Sequence, residues 1–141
     1  DLVIVSFHWG SELQYYPDGV QVELGHVAID AGADLVWGHH PHVIQGIEKY
    51  KDRYIVYSLG NFCFGGNINP SDKDTMIFQA RFSFTSGEKP SCTGNIVPCR
   101  ISSVDYINDY KPVVLTGEEE RRVIGRIHAY SAELPYGIVT K

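Results

Sequence analysis

The amino-acid sequence predicts a mixed α/β fold: a βαβ unit, then antiparallel strands, then a C-terminal helix. Three patterns carry this expectation. Two apolar runs, LVIVSF (2–7) and DLVW (34–37), flank a segment of helical period. The runs VIQGIEKY (43–50) and RYIVYSL (53–59) are separated only by Lys51-Asp52. Near the end, TGEEERRVIGRIHAY (116–130) has the caps and stripe of an amphipathic helix.

LVIVSF is a continuous run of strand-forming residues, the pattern of a strand covered on both faces. A turn-prone stretch from Gly10 to Asp18 follows. Val20, Leu24, Val27, Ala28 and Ala31 then recur at three and four, the core-facing stripe of a helix, and Gly32 supplies the left-handed C′ residue that ends it. DLVW is the second strand. A strand-helix-strand unit implies parallel strands and a right-handed crossover, so both carboxyl ends point the same way.

The next two runs read as a hairpin turning at Lys51-Asp52. Residues 60–74, rich in Gly, Asn and Pro, read as loop. Thr75 to Thr85 alternates as a strand does, and Gly94 to Ile107 is its expected partner, with Pro98 marking an edge or bulge. In the last helix Thr116 and Glu119 form a capping box, and Val123, Ile127 and Tyr130 form the buried stripe.

The chain has 141 residues, 43% hydrophobic and 21% charged. It is read as one domain fragment over residues 1–141, with no repeat or interdomain linker. Because it opens with Asp1 directly in a strand, it is expected to be a piece of something longer, with an anchor or signal upstream. The net charge of −5, with scattered cations, excludes a nucleic-acid groove. No apolar stretch is long enough to span a bilayer. Cys63, Cys92 and Cys99 lack zinc-ribbon spacing; they are three ordinary thiols, or a Cys92–Cys99 bridge across a turn if the protein is secreted. There is no GxSxG elbow, GxGxxG or P-loop.

In open α/β sheets, ligands bind beyond the carboxyl ends of parallel strands. His8 trails the first strand; His39, His40 and His42 trail the second. Topology alone brings these two sites to one rim, and clustered imidazoles are the ordinary ligands of catalytic transition metals. In an extended segment His40 and His42 share a face; if the chain turns after Gly38, His39 and His42 converge instead. The spacing leaves both open. Trp9, Tyr15 and Tyr16, beside Glu12, either line a substrate groove or pack on their own domain. Asn61 caps, turns or binds. His26 and His128 read as structural.

The strings IVSFHWGSE, HVAIDAGAD, GHHPHVIQGIE and IVYSLGNFCF, in this order between residues 4 and 64, resemble the C-terminal half of the bacterial capsule-synthesis family, also called the CapA or poly-gamma-glutamate biosynthesis family. That family is similar in fold to the calcineurin-like metallophosphoesterases, so the resemblance implies part of a four-layer α/β sandwich with two divalent ions (Mn, Fe or Zn) in the full-length protein. It carries metal binding onto His8, His39 and His42 and leaves His40 as the catalytic group. From the residues themselves, Trp9 and Asn61 are read as substrate-binding shapers of the site, with Gly38. The family's Asp-rich and Asn-His motifs are absent here, so the centre is expected to be completed by upstream residues, and this chain to bind metal incompletely. The implied activity is metal-dependent hydrolysis of a phosphoester or poly-gamma-glutamate. Its alternative is a non-catalytic scaffold or polymer-binding subunit of capsule export. The implied partners are a polyanionic polymer and capsule-synthesis membrane proteins, with no nucleic acid, at the extracellular face of the cell envelope.

Overall fold

The computed structural model describes residues 1–138. Its elements are β1 (Ile4–His8), α1 (Gly19–Asp30), β2 (Leu35–His39), β3 (Ile47–Tyr50), β4 (Arg53–Val56), β5 (Asp74–Ser83), β6 (Ser91–Arg100), β7 (Val113–Val114) and α2 (Gly117–Ala132). They form a mixed α/β structure with two sheets, ordered β1-β2-β4-β3 and β5-β6-β7.

β1 and β2 are parallel neighbours joined through α1, with Phe7 opposite Gly38 and His8 opposite His39. β4 also runs parallel to β2, while β3 and β4 form the antiparallel hairpin expected around Lys51-Asp52. Both turn residues take positive φ (48° and 61°), the signature of a two-residue type I′ turn, whose twist matches that of the strands.

The core divides on the two faces of the first sheet. Successive residues of a strand face opposite ways; accordingly Ile55 packs with Ile29, Val36 and Tyr57 on the α1 side, whereas Val56 packs with Met76, Val123 and Ile127 of β5 and α2. In α2 the expected stripe holds, with Val123 and Ile127 fully buried.

Five expectations are corrected. β1 is covered on one face only: Val5 and Phe7 pack on the α1 side, but Ile4 is 46% exposed. β1 is an edge strand, and the core on the far face of the sheet packs on β2, β4 and β3 but includes no residue of β1.

The buried stripe of α1 is Gln21, Gly25 and Ile29, and Val20, Leu24 and Val27 face outward. Gly25 selects this face. A Cβ there would stand 3.0 Å from Ile55 Cγ2, so its bare backbone lets the helix settle closely on β4. Gln21 is burial-compatible because it completes a capping box with Asp18 and donates to Gln45 Oε1 at 3.0 Å.

At α2, Thr116 is the N-cap residue but makes no side-chain cap, and Glu119 bonds Arg122 instead. Finally, Cys92 and Cys99 lie on one continuous ten-residue strand, not across a turn. Seven steps at roughly 3.3 Å place them far beyond disulfide reach, and all three thiols are free.

Pro98 sits in β6, a central strand, rather than at an edge. It is tolerated because its carbonyl takes the bond from Leu115 N just past the short β7, on the side where its missing N–H would have faced. Among the described residues no helix is long and apolar enough to cross a membrane.

Candidate functional site

The parallel pairing sets His8 and His39 side by side at the carboxyl end of the first sheet. At Gly38 there is no room for a side chain: a Cβ there would lie 2.1 Å from both Trp9 Nε1 and the Tyr57 carbonyl oxygen. The chain leaves β2 through residues in the left-handed region, His40 (φ 98°) and His42 (φ 59°). Leu13, across from them in the β1–α1 loop, also has φ 59°. Such conformations cost about 1–3 kcal/mol each in non-glycine residues and cluster where surrounding structure over-determines a site.

That over-determination is visible in the hydrogen bonds. Leu13 N donates to Pro41 O at 2.8 Å, tying the two rim loops together. The fully buried Gln45 donates to Gln14 O at 2.9 Å while accepting from Gln21. Farther along the loop, Tyr15 stacks on Tyr130 (5.6 Å between centroids), and the Arg126 guanidinium lies 5.5 Å over the Tyr15 ring. Arg126 is itself held by Asp72 at 2.5 Å and by Asp74. The short loop carrying Glu12 is thereby clamped to both β2 and α2.

The result is a cluster of donors. One ligand atom each from Glu12, His40 and His42 lies within 4.8 Å of the others. His8 stands beside them, its ring 4.6 Å from that of His40. His40 and His42 are 6.1 Å apart by ring centroid. His39 instead borders a neighbouring cleft of about 460 Å³ lined by Trp37, Leu59, Phe62, Met76 and Phe78. Burial there, with the nearby charge of His8, pushes the His39 pKa down.

His42 is held by Asn61. The ring Nδ1 is 2.7 Å from Asn61 Oδ1, and Asn61 Nδ2 donates to the His42 carbonyl at 3.1 Å. The Phe64 ring packs 5.1 Å from the same imidazole. Asn61 therefore contacts a histidine of the cluster, and at 8% exposure it is largely withdrawn from solvent.

Trp9, expected among the substrate-binding residues, is 8% exposed; it stacks on Phe7 and Tyr57 and donates through Nε1 to Tyr57 O at 2.8 Å. His26, partly exposed, packs against Tyr50 and bonds the buried Glu48 at 2.8 Å, away from the histidine cluster.

Of the expected site residues, the structure gathers His8, His40, His42 and Asn61 at one place. Within the described residues, the donor set that meets ligand spacing includes neither His8 nor His39. It adds Glu12, which sequence reasoning placed only beside a groove. The available signal was its position four residues after His8, in a loop opening at the carboxyl rim.

One carboxylate and two imidazoles are a set suited to Zn, Fe or Mn, with coordination positions left open for water or substrate. A ligating histidine whose second nitrogen is bonded to a side-chain carbonyl is the usual outer arrangement of such centres. The residues present therefore fit a divalent transition metal.

Comparison with known proteins adds the lineage. Residues 1–66 match the family model described as bacterial capsule synthesis protein PGA_cap. The chain is 52% identical over 64 residues to the capsule biosynthesis protein CapA of Bacillus anthracis, covering 45% of this chain and 16% of that protein. It is 50% identical over 64 residues to the PGA biosynthesis protein CapA of Bacillus subtilis strain 168, covering 45% of this chain and 17% of that protein. A weaker similarity, 32% identity over 141 residues, spans 92% of this chain and 28% of the uncharacterized protein y4sH of Sinorhizobium fredii. The chain thus corresponds to a small part of the length of these relatives.

Proposed function

We propose that this chain, whose residues 1–66 match the bacterial capsule synthesis family model, supplies the histidine-rich part of a metal-dependent hydrolase acting in capsule or poly-gamma-glutamate synthesis. The observation that carries the reading is the convergence of Glu12, His40 and His42 at the carboxyl end of the parallel strands.

In this reading Glu12, His40 and His42 hold a divalent ion (Mn, Fe or Zn). When bound, such an ion polarises a phosphoryl or carbonyl oxygen and lowers the pKa of water. His8, exposed and adjacent to His40, is placed to exchange a proton with substrate or to hold an anionic oxygen. His39 meets the substrate from the side of the apolar cleft. The remaining coordination comes from outside this chain, as in the metallophosphoesterase-like sandwich to which we assign the fold. The substrate is a polyanion, poly-gamma-glutamate or a phosphoester. With a chain of net charge −5, binding it depends on the cation. We place the protein at the extracellular face of the cell envelope, alongside membrane proteins of capsule synthesis.

The test is hydrolysis of a generic phosphodiester and of poly-gamma-glutamate by the full-length protein with added Mn, Fe or Zn. The expected result is turnover abolished by chelator and by His42→Ala. Stoichiometric metal binding with no turnover on either substrate would reject hydrolysis in favour of a non-catalytic scaffold.

A further inference from the structure

We propose that Asn61 is a positioning residue that locks His42 into the tautomer carrying its proton on Nδ1, so that Nε2 presents a lone pair to the cluster. The inference deepens the metal reading and rests on it for the use made of Nε2, but not for the tautomer.

The orientation of the Asn61 amide follows from an obligatory acceptor. The main-chain carbonyl of His42 has no proton to give, so the group 3.1 Å from it must be the amide nitrogen. The amide oxygen then faces the ring Nδ1 at 2.7 Å. An amide oxygen only accepts, so Nδ1 must donate. In the neutral ring this leaves Nε2 unprotonated, the state a metal ligand requires.

Free histidine favours the opposite tautomer, so the preference is imposed by the fold. Three features impose it. Asn61 is 8% exposed, which limits competition from water for its oxygen. It grips both the ring and the backbone of one residue, so the ring cannot turn without breaking the pair. Phe64 closes on the ring at 5.1 Å. The same grip helps hold His42 at φ 59°, a conformation histidine alone would seldom keep.

The experiment is ¹⁵N NMR of histidine-labelled, metal-free protein, with zinc titrated afterwards by calorimetry. Wild type is expected to show His42 protonated at Nδ1. Asn61→Ala should shift it toward the Nε2–H form and weaken zinc binding by about 10–100-fold. Asn61→Asp, which still accepts from Nδ1 but cannot donate to the His42 carbonyl, should keep the tautomer while losing the backbone half of the grip. A wild-type His42 protonated at Nε2, or a tautomer unchanged in Asn61→Ala, would overturn the proposal. The wild-type spectrum decides this even if the alanine variant does not fold. An Nδ1–H His42 in a protein that takes up no zinc would uphold the Asn61 assignment and count against the metal reading.

Discussion

The indole of Trp9 donates to the carbonyl oxygen of Tyr57 at 2.8 Å, across the one residue of β2 that has no side chain, Gly38. β1 and β4 are not neighbours in the sheet, and this bond joins the exit of one to the exit of the other over the strand between them. Together with the bond from Trp9 N to His39 O at 3.1 Å, it holds the start of the Glu12 loop against the sheet.

Gly38→Ala should sever it. The new Cβ would meet Trp9 Nε1 and Tyr57 O at 2.1 Å each, neither of which can move without disturbing the core. The expected cost is about 1–3 kcal/mol or more, from overpacking and a displaced buried hydrogen bond. Urea unfolding of the variant measures it.

Glu12→Gln removes the one carboxylate of the donor cluster while keeping its shape. Because Glu12 is exposed, folding stability should change by less than about 0.5 kcal/mol. Zinc affinity should fall by more than the roughly 10–100-fold typical of an outer group. Calorimetric titration beside a melting curve separates the two effects; unchanged affinity would remove Glu12 from the site.

Arg126→Met leaves the carboxylates of Asp72 and Asp74 without a shared partner and takes the guanidinium off Tyr15. Burial raises the Asp72 pKa, but the Arg126 hydrogen bond, the Asp74 backbone and the Arg126 charge outweigh it and hold the carboxyl below its ordinary value. A lowered folded-state pKa gives stability that is present above the unfolded value and lost as pH falls through the folded one. Wild type should therefore weaken below about pH 4. The variant should be less stable at neutral pH, with the gap narrowing in acid, as denaturation series at several pH values would record.

Glu48→Ala tests the interior pairing of His26. Glu48 is fully buried and accepts from His26 Nε2 at 2.8 Å, Tyr57 OH at 2.6 Å and Tyr136 N at 2.9 Å. Deleting it strands several donors at once, and a loss of about 3 kcal/mol or more is expected in chemical denaturation. Burial and the Glu48 carboxylate also push the Tyr57 phenol pKa far up, so the donor cannot escape by ionising.

Val20→Lys combined with Val27→Lys should be nearly neutral, within about 0.5 kcal/mol, because these side chains are 64% and 55% exposed. The sequence stripe, taken at face value, would instead make this pair of changes ruinous. A thermal melt of the double variant distinguishes the two arrangements.

Strand alternation, turn chemistry and the βαβ rule are local, and they made much of the framework legible from the residues alone. They fixed the parallel β1–β2 pair, the Lys51-Asp52 hairpin, the pairing of β5 with the strand after it (Ser91–Arg100 rather than 94–107), the buried stripe of α2 and the arrival of His8 and the later histidines at one rim. They could not say which imidazoles meet or what joins them. Side-chain direction follows a period only while the backbone stays regular, and after Gly38 the chain turns through left-handed residues held by a bond from Leu13. The position of Glu12, the grip of Asn61 on His42 and the face that α1 buries were likewise decided by tertiary structure. Each depends on how closely two distant backbones can approach, and hydrophobic period carries no record of that distance.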